Sequence, residues 1–129
     1  MKIEHLAIWV HDLEKVKEFY IKYFEMKCGE KYTNIKKNYS SYFLSFNGAS
    51  TRIEIMSRPD ITDLGGKHSV SFGLTHFSIS VGSKRKVGKL TEQLCFDGYK
   101  IVGELRTSGD GYYESVIEDC EGNWVEITE

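Results

Sequence analysis

Cysteine is scarce in this chain, and its placement excludes two kinds of protein. Cys28, Cys95 and Cys120 are far apart and odd in number, and no C-x-x-C occurs. Neither a disulfide framework nor a thiolate zinc site is expected, and a reducing cytoplasm is the simplest setting. Long apolar runs are missing too, which excludes a membrane-spanning helix. The net charge is −2, and the basic runs Lys36-Lys37 and Lys84-Arg85-Lys86 are too short for a nucleic-acid face. No secretory leader is expected, because Met1-Lys2-Ile3-Glu4-His5 is already strand-like and charged. Proline occurs once, at Pro59.

What is present is a foldable composition. Of 129 residues, 40% are apolar and 28% charged, which suits one compact domain or two very small halves. The chain also repeats itself. Residues 5–16, "HLAIWVHDLEKV", align with residues 76–87, "HFSISVGSKRKV", at an offset of 71. Residues 47–55, "NGASTRIEI", align with residues 119–127, "DCEGNWVEI", at an offset of 72. Two modules of roughly 60 residues follow: one to about residue 57, a linker over about 58–74, and a second over about 75–129. The linker holds Pro59 and Gly65-Gly66, which suits a connection or a flap.

Each module reads as strand, helix, then three strands. The first strand alternates over Ile3–Val10. Asp12 caps a helix carrying Leu13, Val16, Phe19, Tyr20, Tyr23 and Phe24 on one face, with Gly29 just beyond its end. Strands follow near Glu30–Tyr32, Ser41–Phe46 and Arg52–Met56, with Asn47-Gly48 as a hairpin signal. In the second module Ser83 caps a helix carrying Val87, Leu90 and Leu94, closed by Gly98. Strands follow near Tyr99–Glu104, Tyr113–Glu118 and Trp124–Thr128.

Strand side chains alternate between faces. Leu6, Ile8 and Val10 oppose His5, Ala7 and Trp9; Ile53 and Ile55 oppose Arg52, Glu54 and Met56. In the second module Phe77, Ile79 and Val81 oppose His76, Ser78 and Ser80, and Val125 and Ile127 oppose Trp124, Glu126 and Thr128. One face is apolar and suits burial under the helices. The other carries His5, Glu54, His76 and Glu126 and suits the lining of a polar cavity. A lone histidine or glutamate in a strand is usually structural or solvated. Two of each at repeat-equivalent positions are a good set for a divalent metal, against the simpler reading of two His–Glu pairs without one. His11, at the helix entrance, and His68, in the linker, lack that support and read as surface residues, with His68 a candidate for a flap.

At these positions the sequence resembles the vicinal oxygen chelate superfamily, which includes glyoxalase I, bleomycin-resistance proteins and extradiol dioxygenases. The matching text is "IEHLAIWVHDLEKVKEFYIKYFEMK", "RIEIM", "GLTHFSISV" and "EDCEGNWVEIT", nearly the whole chain. The last phrase resembles the family's D-P-x-G-N ending, with Cys120 in place of the proline. The resemblance implies an α+β fold: paired βαβββ modules whose strands form an incomplete β-barrel around a metal, helices on the outer face. It implies His5, Glu54, His76 and Glu126 as metal ligands. The order His, Glu, His, Glu is that of bacterial glyoxalase I, whereas fosfomycin-resistance enzymes and extradiol dioxygenases have no ligand at the Glu54 position and epimerases usually carry Gln.

By that resemblance the protein is a metal-dependent lyase or isomerase acting on a small oxygen-chelating substrate, such as the hemithioacetal of methylglyoxal and a thiol. Ni or Zn is the first metal to test, with Co, Mn and Fe behind them. Glu126 is the candidate base and Glu54 the second metal carboxylate. Glyoxalase I enzymes often hold glutathione with an Arg four residues after the first ligand and an Asn shortly after the second. Here those places hold Trp9 and Arg58, so a more aromatic pocket is expected, formed by Trp9, Arg52, Met56, Trp124 and Tyr113. Arg52 and Arg58 are candidates for binding an anionic group. Arg106 and residues 107–113, with Tyr112, are candidates for a rim. The alternatives are an epimerase or thiol-transfer resistance enzyme of the same superfamily, or a non-catalytic protein binding an aromatic or antibiotic ligand. A cytoplasmic homodimer is expected.

Overall fold

Asp12 starts the first helix as its sequence suggests. In the computed structural model, which describes residues 1–62 and 72–129, the Asp12 carboxylate accepts the backbone N–H groups of Glu14 and Lys15, both at 3.0 Å. Helix α1 (Leu13–Phe24) buries Leu13, Val16, Phe19, Tyr20, Tyr23 and Phe24. Burial of each such side chain contributes roughly 1.5–3 kcal/mol. The helix ends earlier than Gly29 implies. Glu25 takes the left-handed conformation at φ 54°, and Met26 N–H returns to Tyr20 C=O. A non-glycine residue fills the terminating position, so glycine punctuation misplaces the end.

The chain divides into two compact units, Met1–Leu64 and Gly65–Glu129. In the first, strands β1 (His5–Trp9), β2 (Lys27–Cys28), β3 (Tyr32–Asn34), β4 (Tyr39–Ser45) and β5 (Arg52–Ser57) form one open sheet. Its order is β1-β5-β4-β2, with β3 also on β4. The single strand expected near Glu30–Tyr32 is instead the two short strands β2 and β3. The turn after β4 is closed by Ala49 N–H to Phe46 C=O, with Gly48 at φ 78°, as the Asn-Gly signal requires. Helix α1 packs on β4 and β5. Leu44, Ile53 and Ile55 are buried on that side.

The second unit repeats the plan with β6 (Phe77–Ser80), α2 (Lys84–Phe96), β7 (Ile101–Thr107), β8 (Tyr113–Glu118) and β9 (Trp124–Thr128). Its open sheet runs β6-β9-β8-β7. Ser83 Oγ accepts Lys86 N–H, and Gly98 follows the helix at φ 89°. The buried helix positions are Val87, Thr91 and Leu94; Leu90 is only half-buried. Thr91 enters the apolar side because its hydroxyl is satisfied, lying 2.8 Å from Val87 C=O and 2.7 Å from Ser115 Oγ. Among the described residues no helix is long and apolar enough to cross a membrane. His68 and Gly65-Gly66 lie outside the described residues.

Candidate metal centre

Ladder register decides which side chains share a face with the candidate ligands. In the first unit β1 and β5 run parallel, pairing His5 with Arg52, Ala7 with Glu54 and Trp9 with Met56. Strand β4 runs antiparallel on the other side of β5 and places Phe43 opposite Glu54. His5 Nε2 stands 3.8 Å from Glu54 Oε2. The Phe43 ring meets His5 edge-on at 5.5 Å, and the Arg52 guanidinium lies 4.0 Å over that ring.

Two neighbours set the chemistry of this pair. His5 Nδ1 is hydrogen-bonded to the Glu4 carboxylate, whose other oxygen accepts from Arg52. The His5 hydrogen bond, then that of Arg52, holds the Glu4 carboxyl below its usual range. An ionised carboxylate only accepts, so Nδ1 donates to Glu4 and Nε2 is the ring nitrogen left facing Glu54. On the far side, Tyr39 Oη donates to Glu54 Oε1 at 2.7 Å. Burial, reinforced by the Glu54 hydrogen bond, pushes the Tyr39 phenol above its ordinary range, so it stays a donor at neutral pH.

In the second unit His76 Nε2 stands 3.5 Å from Glu126 Oε2. Glu126 pairs with Ser78 on β6 and with Val116 on β8. The surroundings differ from those of the first pair. Thr75 precedes His76 where Glu4 precedes His5. Tyr112, four residues before Val116 as Tyr39 is four before Phe43, is 52% exposed. Among the described residues no hydroxyl donates to Glu126. The strand bearing Glu126 is set by a tight turn. Buried Asp119 accepts the N–H groups of Glu121 and Asn123, each at 2.9 Å, and the Asn123 amide as well. Gly122 supplies the positive φ, 88°. The turn is therefore held by Asp119 and Asn123, with Cys120 at the place of the family's proline.

The structure thus brings His5 to Glu54 and His76 to Glu126. Among the described residues no group of three or more His, Cys, Asp or Glu side chains gathers as a metal cluster. Within each unit the pair offers one imidazole nitrogen and one carboxylate oxygen, donor types that suit a borderline divalent ion. Two neighbouring donors on an octahedral ion stand about 3.0 Å apart at bond lengths of about 2.1 Å. The 3.8 and 3.5 Å within the two pairs are wider than that.

Of the expected pocket residues, Trp9, Arg52 and Met56 share the Glu54 face by register. Trp9 is 41% exposed and meets the Tyr39 ring edge-on at 6.2 Å. Trp124 is half-buried on the Glu126 face, its Nε1 donating to Glu118 at 3.4 Å. Tyr113 does not join that face. Alternation along β8 turns it to the side of Ser115 and Ile117, and Lys84 of α2 stands 5.8 Å over its ring. Arg106 donates through Nε and Nη2 to Glu114 Oε1, at 3.0 and 2.9 Å. Glu114 is buried, pairs with Thr128 and shares the face of Glu126. Tyr39, Phe43 and Glu114 lie on strands whose faces were not assigned from the sequence. The turns at Asn47-Gly48 and Gly122-Asn123 mark which strands are neighbours, but the register that sets these side chains opposite or beside each glutamate is fixed only by the strand pairing.

The sequence model of the Glyoxalase/Bleomycin resistance protein/Dioxygenase superfamily matches residues 2–127. The chain belongs to that superfamily. No curated protein matches it. Among solved structures, this glyoxalase-superfamily chain is similar to the trypanothione-dependent glyoxalase I of Leishmania major, at 22% identity and TM-score 0.78, over 100% of this chain and 86% of that one. It is also similar to a glyoxalase family protein of Enterococcus faecalis, at 21% identity and TM-score 0.77, over 99% and 97% of the two chains. Against glyoxalase I of Zea mays the identity is 26% and the TM-score 0.76, over 98% of this chain but only 44% of the maize chain. At such identities the likeness establishes the glyoxalase fold.

Proposed function

We propose that this protein is a metal-dependent lyase or isomerase of the glyoxalase I type, with His5, Glu54, His76 and Glu126 as the protein ligands of one divalent ion. The supporting observation is that each unit sets one imidazole Nε2 opposite one carboxylate Oε2, at 3.8 and 3.5 Å, without closing a hydrogen bond between them. Ni is the leading candidate and Zn the next, ahead of Co, Mn and Fe. The substrate is a small oxygen-chelating molecule, such as the hemithioacetal of methylglyoxal and a thiol. A cytoplasmic homodimer belongs to the same reading, as does the division into modules over about 1–57 and 75–129 with a linker between.

When bound, the ion supplies Lewis acidity to the substrate oxygens. The residues divide the remaining work. Glu4 keeps the His5 proton on Nδ1, leaving Nε2 as the donor. Tyr39 holds one oxygen of Glu54, which restrains that carboxylate as a fixed ligand. Glu126, without such a donor among the described residues, is free to turn and take a proton from substrate carbon, then return it to the adjacent carbon. Trp9, Met56 and Trp124 offer apolar surface for the rest of the substrate.

The test is metal content followed by turnover. Protein reconstituted with Ni, Zn, Co or Mn should retain one equivalent through desalting and release it to a chelator. Retention of none of these metals sinks the proposal. Thioester formation from methylglyoxal with glutathione, bacillithiol or coenzyme A then identifies the thiol. A protein that holds metal and turns over none of them is not a glyoxalase.

A further inference from the structure

Ser41 is 1% exposed, and among the described residues its Oγ is the one buried side-chain oxygen or nitrogen that meets no hydrogen-bonding group. A buried hydroxyl without a partner costs free energy, and alanine would fill the same space without that cost. The second unit gives a contrast. Glu114 pairs with Thr128, two residues after Glu126, as Ser41 pairs with Met56, two residues after Glu54. Glu114 is buried too, but Arg106 takes up its carboxylate. The tyrosine that corresponds there to Tyr39 is Tyr112, which is exposed. The unpartnered hydroxyl thus occurs in the unit whose glutamate is held by a phenol.

The ladder explains why the two occur together. Tyr39, Ser41 and Phe43 share one face of β4 by alternation, and Phe43 is the residue opposite Glu54. Tyr39 nevertheless reaches Glu54, its Oη standing 2.7 Å from Oε1. From Tyr39 to Phe43 the strand advances about 13 Å, so the phenol and the carboxylate lean toward each other and meet above Ser41 and Met56. Only a small side chain at position 41 leaves that path open. Burial raises the pKa of the Tyr39 phenol, and the Ser41 hydroxyl acts against it, which is the direction of a donor to Oη. In this structure Ser41 Oγ stands short of hydrogen-bond geometry with that oxygen.

We propose that Ser41 is a positioning residue of the candidate metal centre: its hydroxyl donates to Tyr39 Oη, which donates in turn to Glu54, and this chain holds the carboxylate in place as a ligand. The link from Ser41 to Tyr39 stands on the ladder and on the unpartnered hydroxyl. Its bearing on the metal rests on the metal-dependent reading above. A phenol oxygen that accepts a hydrogen bond donates its own more strongly, because the two bonds polarise one another. Alanine at position 41 keeps the path of the phenol open and removes only this donor. The hydroxyl therefore serves the site at the expense of the fold, and its loss should not weaken the fold.

Nuclear magnetic resonance of metal-free protein reads the first link, with tyrosine isotopically labelled at Cζ, the carbon that bears Oη. The Tyr39 signal, identified among those of the eight tyrosines by its loss in Tyr39→Phe, should move in Ser41→Ala. The urea midpoint of Ser41→Ala should be unchanged or higher, since a hydroxyl without a partner adds no stability. Calorimetry with Ni or Zn reads the second link. Ser41→Ala should weaken metal binding about threefold, the worth of one ordinary hydrogen bond, and should have no further effect in a Tyr39→Phe background. An unmoved Tyr39 signal, a lowered urea midpoint, an unchanged metal affinity, or the same loss of affinity with and without the phenol overturns the proposal. Absence of metal binding in the wild type sinks the metal-dependent reading instead, and a Tyr39 signal that still moves in Ser41→Ala then leaves the link between the two side chains standing.

Discussion

Tyr39 Oη lies 2.7 Å from Glu54 Oε1, and its counterpart Tyr112 is exposed and bonds no such carboxylate. Two glutamates that the repeat makes equivalent are therefore held differently. One is tethered by a phenol and the other is untethered among the described residues.

Replacing Tyr39 with Phe should loosen Glu54. Partners of metal ligands typically carry a factor of 10–100 in metal affinity, so Ni or Zn binding by calorimetry should weaken by about tenfold. Tyr42→Phe is the matched control. Tyr42 bonds Glu14 on the helix side of the same strand, so its loss should leave metal affinity unchanged.

Glu126→Gln separates ligand from base. The amide oxygen still coordinates but cannot accept a proton from carbon. Metal should remain bound, and turnover should fall by about 10²–10⁴. Glu54→Gln should act mainly through metal affinity. Full turnover in Glu126→Gln protein would move the base elsewhere.

Asp119 is a stability residue that sets the strand bearing Glu126. It is 4% exposed and accepts from two backbone N–H groups and the Asn123 amide. Asp119→Ala leaves those donors unpaired and should cost about 2–3 kcal/mol, read as a lower urea midpoint. Asp119→Asn keeps the acceptor oxygen and should recover part of the loss.

Glu14 makes the fold sensitive to acid. Its carboxylate accepts from Lys17, Lys31 and Tyr42, and these hold its pKa down to about 2 against a usual 4.5. A depressed folded pKa adds stability above pH 4.5 that disappears as the pH falls from 4.5 toward 2. The difference in urea midpoint between wild type and Glu14→Gln should therefore be largest near neutrality and vanish near pH 2. The side chain is half exposed, so 0.5 M salt should shrink that difference.

Much of this protein follows from local sequence. Asp12 and Ser83 accept the first N–H groups of their helices wherever those helices pack, because a cap acts within three residues. Alternation along β1, β5 and β9 puts His5, Glu54 and Glu126 opposite the buried aliphatics, because successive strand residues point to opposite faces. The repeat alone makes the two histidines and the two glutamates equivalent. Tertiary pairing decided what surrounds them. Register across β4 and β5 brought Tyr39 and Phe43 to Glu54, and register across β8 and β9 put Glu114 on the Glu126 face while turning Tyr113 toward α2. Glu25, not Gly29, ends α1, taking the left-handed conformation that glycine spacing would have placed four residues later. Spacing along one strand specifies a face, but which neighbours meet on that face depends on a second strand arriving from elsewhere in the chain. That is why the candidate ligands were legible in the sequence and the tyrosine that distinguishes them was not.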